Sequence, residues 1–186
     1  MNKEFWDGVE YAPPHKPTII LISGKAQHGK DTVANILQEK LKGRIAITRY
    51  AKHIKEMYKT YYGWNGVKNE KAREFLQWLG TDFIRAKYPN WHVDRTRGEI
   101  EILEDEFDYF LIPDVRFPNE LLRNTDFNIK RIRIIRTNYE SELTEAQQNH
   151  ISETALDDYD NWDLVITADS GDIASIRKQL EGLCTR

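Results

Sequence analysis

The sequence predicts a three-layer α/β domain built on a mostly parallel, five-stranded sheet, and three observations carry that prediction. Short apolar, β-branched runs of the kind buried on both faces of a sheet recur along the chain. Helical patterns alternate with them, as a parallel sheet requires, because each crossover must return the chain to the same end. The first of these runs breaks into a glycine-containing loop that opens a helix.

Residues 17–23 (PTIILIS) form the first strand signal, ending at Gly24. Residues 31–41 place Val33, Ile36, Leu37 and Leu41 at helical spacing, so the unit reads strand, tight loop, helix. Residues 44–48 supply a second, weaker strand. The longest predicted helix covers 69–87, with Phe75, Leu76, Leu79 and Phe83 on one side. On its other side Arg73, Gln77, Thr81 and Arg85 recur every fourth residue as a polar and cationic stripe. Residues 91–106 read as a further helix, more acidic toward its end. The next strand, 109–112 (YFLI), is expected to stop at Pro113 and Asp114, and 132–135 (IRII) at Arg136. Residues 164–167 (LVIT) precede a closing helix from about 172 to 183. The stretch 137–159 is long, polar and weakly periodic, which suits a mobile flap better than a core element. There is no internal repeat and no low-complexity segment.

A chain of 186 residues, 40% of them hydrophobic, can bury one sizeable core, so 1–186 is read as a single domain with insertions. The net charge is -3, with 27 basic and 30 acidic residues intermixed, which leaves no electrostatic footprint for duplex nucleic acid or an anionic membrane. A small anionic ligand needs only a local cluster of cations. Cys184, the one cysteine, excludes an internal disulfide framework and a multi-cysteine zinc site, and a reducing, cytoplasmic setting is expected. Residues 1–16 are polar and carry Pro13 and Pro14, with no apolar stretch of signal-peptide or membrane-span length, so a soluble, unprocessed protein is expected.

Gly24-Lys25-Ala26-Gln27-His28-Gly29-Lys30 has the spacing of a phosphate-binding P-loop. The glycines let successive backbone N–H groups turn toward an anion, the following helix adds its positive end, and Lys30 reaches the outer phosphates. The strand before and the helix after favour this reading over a chance glycine-rich turn. The hydroxyl expected next to the lysine to hold Mg²⁺ is replaced by Asp31, whose carboxylate can serve the cation directly or through water. Thr32 then falls to a phosphate, while Lys25 and His28 either touch the ligand or face solvent.

Phosphoryl transfer needs positioned cations at the C-terminal ends of strands. Asp114 and Arg116 follow one strand, the first as a second carboxylate for Mg²⁺, as a group that orients the acceptor phosphate or as a turn former, the second as a two-pronged phosphate grip. Arg136 follows another, on an edge already basic through Arg131 and Arg133, so a catalytic and a merely cationic role stay open. The stripe Arg73, Gln77, Thr81 and Arg85 reads equally as an acceptor wall or as a solvated helix face. Trp91, with Trp78 and Tyr88, either stacks on a base or belongs to the core.

Four blocks carry a family resemblance: Ser23 through Ala34 (SGKAQHGKDTVA), Leu76 through Asp82 (LQWLGTD), Asp114 through Glu120 (DVRFPNE) and His150 through Leu156 (HISETAL). Together, across about 18–166, they resemble the phage-type deoxynucleoside monophosphate kinases, in which the glycine-lysine-aspartate form of the P-loop is itself a feature. The resemblance implies an NMP-kinase-like fold with a helical acceptor-binding insertion at about 50–106 and a lid at about 137–159. It further implies ATP and Mg²⁺ as co-substrates, a deoxynucleoside monophosphate as acceptor, a monomer or homodimer, and the host cytoplasm as setting if the protein is phage-encoded. Carried over residue by residue, Gly24 to Thr32 would bind ATP phosphates, Lys55 would face the acceptor, and Arg73, Gln77 and Arg85 would line its site. Asp114 and Arg116 would flank the reacting phosphates, and His150, Ser152 and Glu153 would belong to the lid. Residues 152–153 and 156–159 are also similar to the animal phosphomevalonate kinases, which share the P-loop variant. A nucleotide-binding module without turnover is a third possibility, although the guanine signature and switch segment of GTPases are absent.

Overall fold

The structure is a computed structural model that describes residues 16–122 and 126–184; what the sequence suggested for the polar stretch before Lys16 lies outside it, as does the side chain of Cys184. Five parallel strands form one sheet in the order β2-β3-β1-β4-β5: β1 (Thr18–Ser23), β2 (Ile45–Ile47), β3 (Tyr109–Val115), β4 (Asn128–Thr137) and β5 (Leu164–Asp169). The predicted fold class holds, and the sheet is parallel throughout.

β1 is central because its side chains are apolar on both faces. Ile20 and Ile22 join Val33, Ile36 and Leu37 of α1 (Lys30–Lys40) and Ile176 of α7 (Ile173–Gln179) in one layer. Ile19 and Leu21 join Phe110, Ile112 and Ile100 of α4 (Trp91–Leu103) in the other. Each fully buried isoleucine or leucine contributes roughly 1.5–3 kcal/mol, so the two faces of this one strand anchor all three layers.

Between β2 and β3 the chain makes a helical excursion: α2 (Lys52–Tyr62), α3 (Glu70–Gln77), a π-helical segment (Trp78–Arg85) and α4. Ile54, Leu79 and Ile84 give it an apolar cluster of its own, separate from both sheet faces. Between β4 and β5 lie two single turns, α5 (Glu145–Gln148) and α6 (Ile151–Thr154), and the chain closes with α7 and α8 (Glu181–Cys184).

Several boundaries differ from expectation. β3 runs through Pro113 to Val115 instead of stopping there, because β2 pairs only as far as Leu111 and the β1 register shifts beyond Ile112, so no ladder partner needs the missing N–H. β4 is ten residues long and contains Arg136, since β1 pairs with its first half and β5 with its second; its polar positions hid this from a search for apolar runs. The single helix expected over 69–87 is α-helical only to Gln77 and π-helical beyond, and the closing helix breaks in two at Leu180. Among the described residues no helix is long and apolar enough to cross a membrane.

Candidate active site

After β1 the chain moves out toward β2, and after β3 it crosses to β4 on the opposite side. The crevice beyond the C-terminal ends of β1 and β3 is therefore the topological switch point where open α/β sheets bind ligands. The 24–29 loop curls there. Gly24 is required by a close approach, because a Cβ would lie 2.6 Å from the carbonyl oxygen of Ile134. Lys30, 9% exposed, donates from Nζ to the carbonyl oxygens of Gly24 (2.8 Å) and Lys25 (2.7 Å). Burial, and then the nearby Arg116 cation, bring its pKa down to about 7. An anion arriving beside it would favour its charged form.

His28 faces β4: its Nδ1 accepts the Arg136 backbone N–H (3.2 Å), which leaves the proton of a neutral ring on Nε2. Burial and the Lys30 charge lower its pKa, in keeping with a neutral ring. Arg136 lies 4.1 Å over the Tyr139 ring and donates to the Gln27 carbonyl (2.9 Å) and to Ser170 Oγ (2.5 Å).

A cavity of about 500 Å³ opens beside the loop, a volume suited to a small ligand. Its cations Lys30, Arg49, Lys55, Lys68, Arg73, Arg85 and Arg116 outnumber its acids Asp31, Asp114, Glu120 and Glu153, although the chain as a whole is net acidic. The cavity thus selects anions by local composition. All four members of the polar stripe line it. In an ideal α-helix a four-residue repeat drifts by about 40° per step, so Arg73 and Arg85 would diverge by about 120°. The wider π turn from Trp78 onward reduces that drift and keeps the stripe on one wall.

The excursion is tied to the sheet by polar contacts. Both Asp114 oxygens accept backbone N–H groups at the start of α2, from Tyr50 and Ala51, each at 3.0 Å. The buried Glu120 carboxylate accepts from Arg85 Nη2 (2.5 Å) and from the backbone of Arg116 (2.6 Å) and Phe117 (3.0 Å). Burial raises the Glu120 pKa to about 7 against the opposing pull of Arg85. The Arg85 guanidinium also lies 3.8 Å over the Phe117 ring. Buried His92 sits between two carbonyl oxygens, Nδ1 at 3.2 Å from Tyr50 and Nε2 at 3.0 Å from Gly80. A Cβ at Gly80 would meet Ile54 Cδ1 at 2.8 Å, so a larger residue there would displace that methyl.

The segment between β4 and β5 meets the loop with carboxylates. Glu153 Oε2 accepts the Ala26 N–H (2.8 Å) and pairs with Arg116 Nη1 (2.5 Å). Asp157 pairs with Lys25 (2.9 Å) and Arg133 (3.0 Å), and Glu142 accepts from Gln27 Nε2 (2.5 Å). The segment 137–159, which carries no lysine or arginine, is thereby held on the cationic face of the loop.

Of the residues singled out from sequence, Ala26, Lys30, Asp31, Lys55, Asp114, Arg116, Glu153 and the stripe converge on this cavity. Burial and the neighbouring Lys68 charge lower the pKa of Lys55. Lys25, His28 and Arg136 line a second cavity of about 390 Å³ on the Tyr139 side of the loop, sharing Ala26, Leu143 and Glu153 with the first. Gly24, Gly29 and Thr32 belong to the loop and first turn of α1 but to neither wall. Trp91 also lies outside both, packed against the Ile54–Leu79–Ile84 cluster and edge-on to His92. Arg49, Lys68, His92, Glu120 and Gln147 line the first cavity without having been singled out. Arg49 lies two residues past the end of β2, and the strand-end argument applied to Asp114 would have found it.

A parallel sheet with a glycine loop at its switch point, a buried lysine in that loop and a cationic cavity beside it define a P-loop phosphotransferase. The deoxynucleotide monophosphate kinase family matches residues 61–180, and the chain belongs to that family. A thymidylate kinase from Candida albicans shares the fold, with a TM-score of 0.50 at 13% identity over 90% of this chain and 91% of that one. A sugar kinase from Janibacter sp. aligns with a TM-score of 0.45 at 10% identity, over 91% and 95%. Comparison with curated proteins returns no match.

Proposed function

We propose that the protein transfers the γ-phosphate of ATP, bound with Mg²⁺, to the phosphate of a deoxynucleoside monophosphate. One observation carries the reading: the phosphate loop and the stripe Arg73, Gln77, Thr81 and Arg85 open onto the same cation-rich cavity. Donor and acceptor phosphates are thus brought together, and positioning is the main demand of this chemistry.

In this reading the amides of 24–32 and Lys30 hold the ATP phosphates, and the cavity around His28 and Arg136 takes the rest of that nucleotide. Arg73, Arg85 and Arg116 hold the acceptor phosphate, Lys55 faces it, and Gln77 and Thr81 offer hydrogen bonds to the base. An acceptor oxygen attacks the γ-phosphorus in line, and the bond to the β-bridging oxygen breaks. No general base is needed, because a phosphate monoester is already anionic near neutral pH.

Among the described residues no cluster of three or more acidic, His or Cys side chains is placed to hold a metal by itself. That suits Mg²⁺, which keeps several waters and rides on phosphates with one or two carboxylates. Asp31, exposed and paired with Arg49 at 2.6 Å, and Asp114, with lone pairs beyond its two backbone bonds, are the carboxylates that fit. The ion would neutralise charge on the phosphate oxygens. The segment 137–159 acts as the lid that excludes water.

The test is ADP release with MgATP and a panel of deoxynucleoside monophosphates, with phosphomevalonate as control. Turnover with at least one nucleotide and none with phosphomevalonate is expected; silence toward every nucleotide would sink the proposal.

A further inference from the structure

One carboxylate oxygen ties the phosphate loop to the cation that follows β3. Glu153 Oε2, on a side chain only 7% exposed, accepts the Ala26 N–H at 2.8 Å and pairs with Arg116 Nη1 at 2.5 Å. Burial and Arg116 lower the Lys30 pKa, and the Glu153 charge opposes them. Together with Ala26 and Leu143, Glu153 lines both cavities, so it stands on the boundary between the side of the loop assigned to ATP and the side assigned to the acceptor. Its neighbours in 137–159 dock in the same manner, Asp157 on Lys25 and Glu142 on Gln27, so three consecutive loop residues are each held by an acid. A backbone N–H carries one proton and serves one strong acceptor. While Oε2 is in place, a phosphate oxygen cannot take the Ala26 amide, and two anions brought so close repel each other.

We propose that Glu153 is a phosphate mimic that occupies the place of the γ-phosphoryl group in the free enzyme, and that MgATP must displace it to bind. The inference rests on the kinase reading above. A carboxylate suits the part, because it is an anion whose oxygens answer the same amide and guanidinium donors as a phosphoryl group. The boundary between the two cavities is also where a group passing from donor to acceptor has to lie. The contact is self-inhibitory: apparent MgATP affinity is reduced by the fraction of molecules in which the place is already taken. ADP, one phosphate shorter, leaves Glu153 where it is.

The test is calorimetry of the full chain with MgATP and with MgADP, with thermal melts as the fold control. Glu153→Gln keeps the shape and an oxygen for the Ala26 N–H but removes the charge. Glu153→Asp keeps a charge for Arg116 and draws it back by one methylene, so that it no longer spans both donors; it carries the test if the glutamine variant does not fold. The MgATP Kd is expected to fall about tenfold in Glu153→Gln, the ratio for a place vacant in about one free molecule in ten, and by less in Glu153→Asp. The MgADP Kd should stay within about twofold of wild type in both. Tightening confined to MgATP supports the proposal. Folded variants that bind MgATP no more tightly than the wild type, or that tighten on MgADP as much as on MgATP, overturn it. A wild-type protein without affinity for MgATP is a different failure: it removes the kinase reading and this inference with it.

Discussion

The phosphate loop and the helical excursion between β2 and β3 share one cavity but are built in opposite ways. The loop is local: a continuous run of residues closes on itself, Lys30 bonds carbonyls five and six positions back, and the strand and helix beside it are held by apolar packing. The excursion is hung from the sheet by distant polar contacts. Asp114 holds amides 63 and 64 positions away, Glu120 holds Arg85, and His92 bridges Tyr50 and Gly80. The difference predicts how each part fails. A change in the loop should abolish chemistry and spare the fold, whereas removing one partner of a buried polar pair leaves the other uncompensated and should loosen the excursion.

The largest effect is expected from Lys30→Ala. Its kcat should fall by about 10²–10³-fold or more, because the transition-state charge loses a preorganised cation. The melting temperature should hold or rise, since a buried ammonium has been removed. A large drop in melting temperature would break the comparison.

Glu120→Ala comes next and should behave conversely. It strands the Arg85 guanidinium and frees two backbone amides, for a loss of about 3–5 kcal/mol in chemical denaturation. The acceptor KM should also rise. A variant as stable as the wild type would show that the excursion does not hang on this pair.

The smallest effect concerns pH. Lys30 titrates at about 7 in the free protein, below its ordinary 10.5. The sign follows: the folded chain binds this proton less tightly than the unfolded one, so the stability of the free protein rises with pH between about 7 and 10.5. Polyphosphate raises the pKa again, so binding takes up a proton, and MgATP affinity should weaken above pH 7 by at most about tenfold per unit. Calorimetry at pH 8 in two buffers of different ionisation enthalpy reads the uptake. Zero protons taken up would show that Lys30 is already charged in the free enzyme.

The same contrast explains what could be read from sequence. The loop was legible because its glycines, lysine and flanking elements are contiguous, and Asp114 and Arg116 because strand ends in α/β sheets point at ligands. The stripe was visible as a spacing, but the spacing did not show that all four members line one cavity. The partners of Asp114 and Arg85 were hidden, as was the Glu153 contact with Ala26 across 127 positions, because nothing local marks which backbone amide a carboxylate will find. Apolar periodicity does not distinguish an α from a π turn, so the change of coil at Trp78 left no mark in the pattern.

That change of coil makes residue count, more than residue identity, the constraint on this stretch of chain. Inserting one position between Trp78 and Arg85, where the wide turn already holds the slack, would swing every following side chain by about 100°. Arg85 would turn away from both Glu120 and the cavity. For these eight residues an insertion is therefore a heavier lesion than most substitutions.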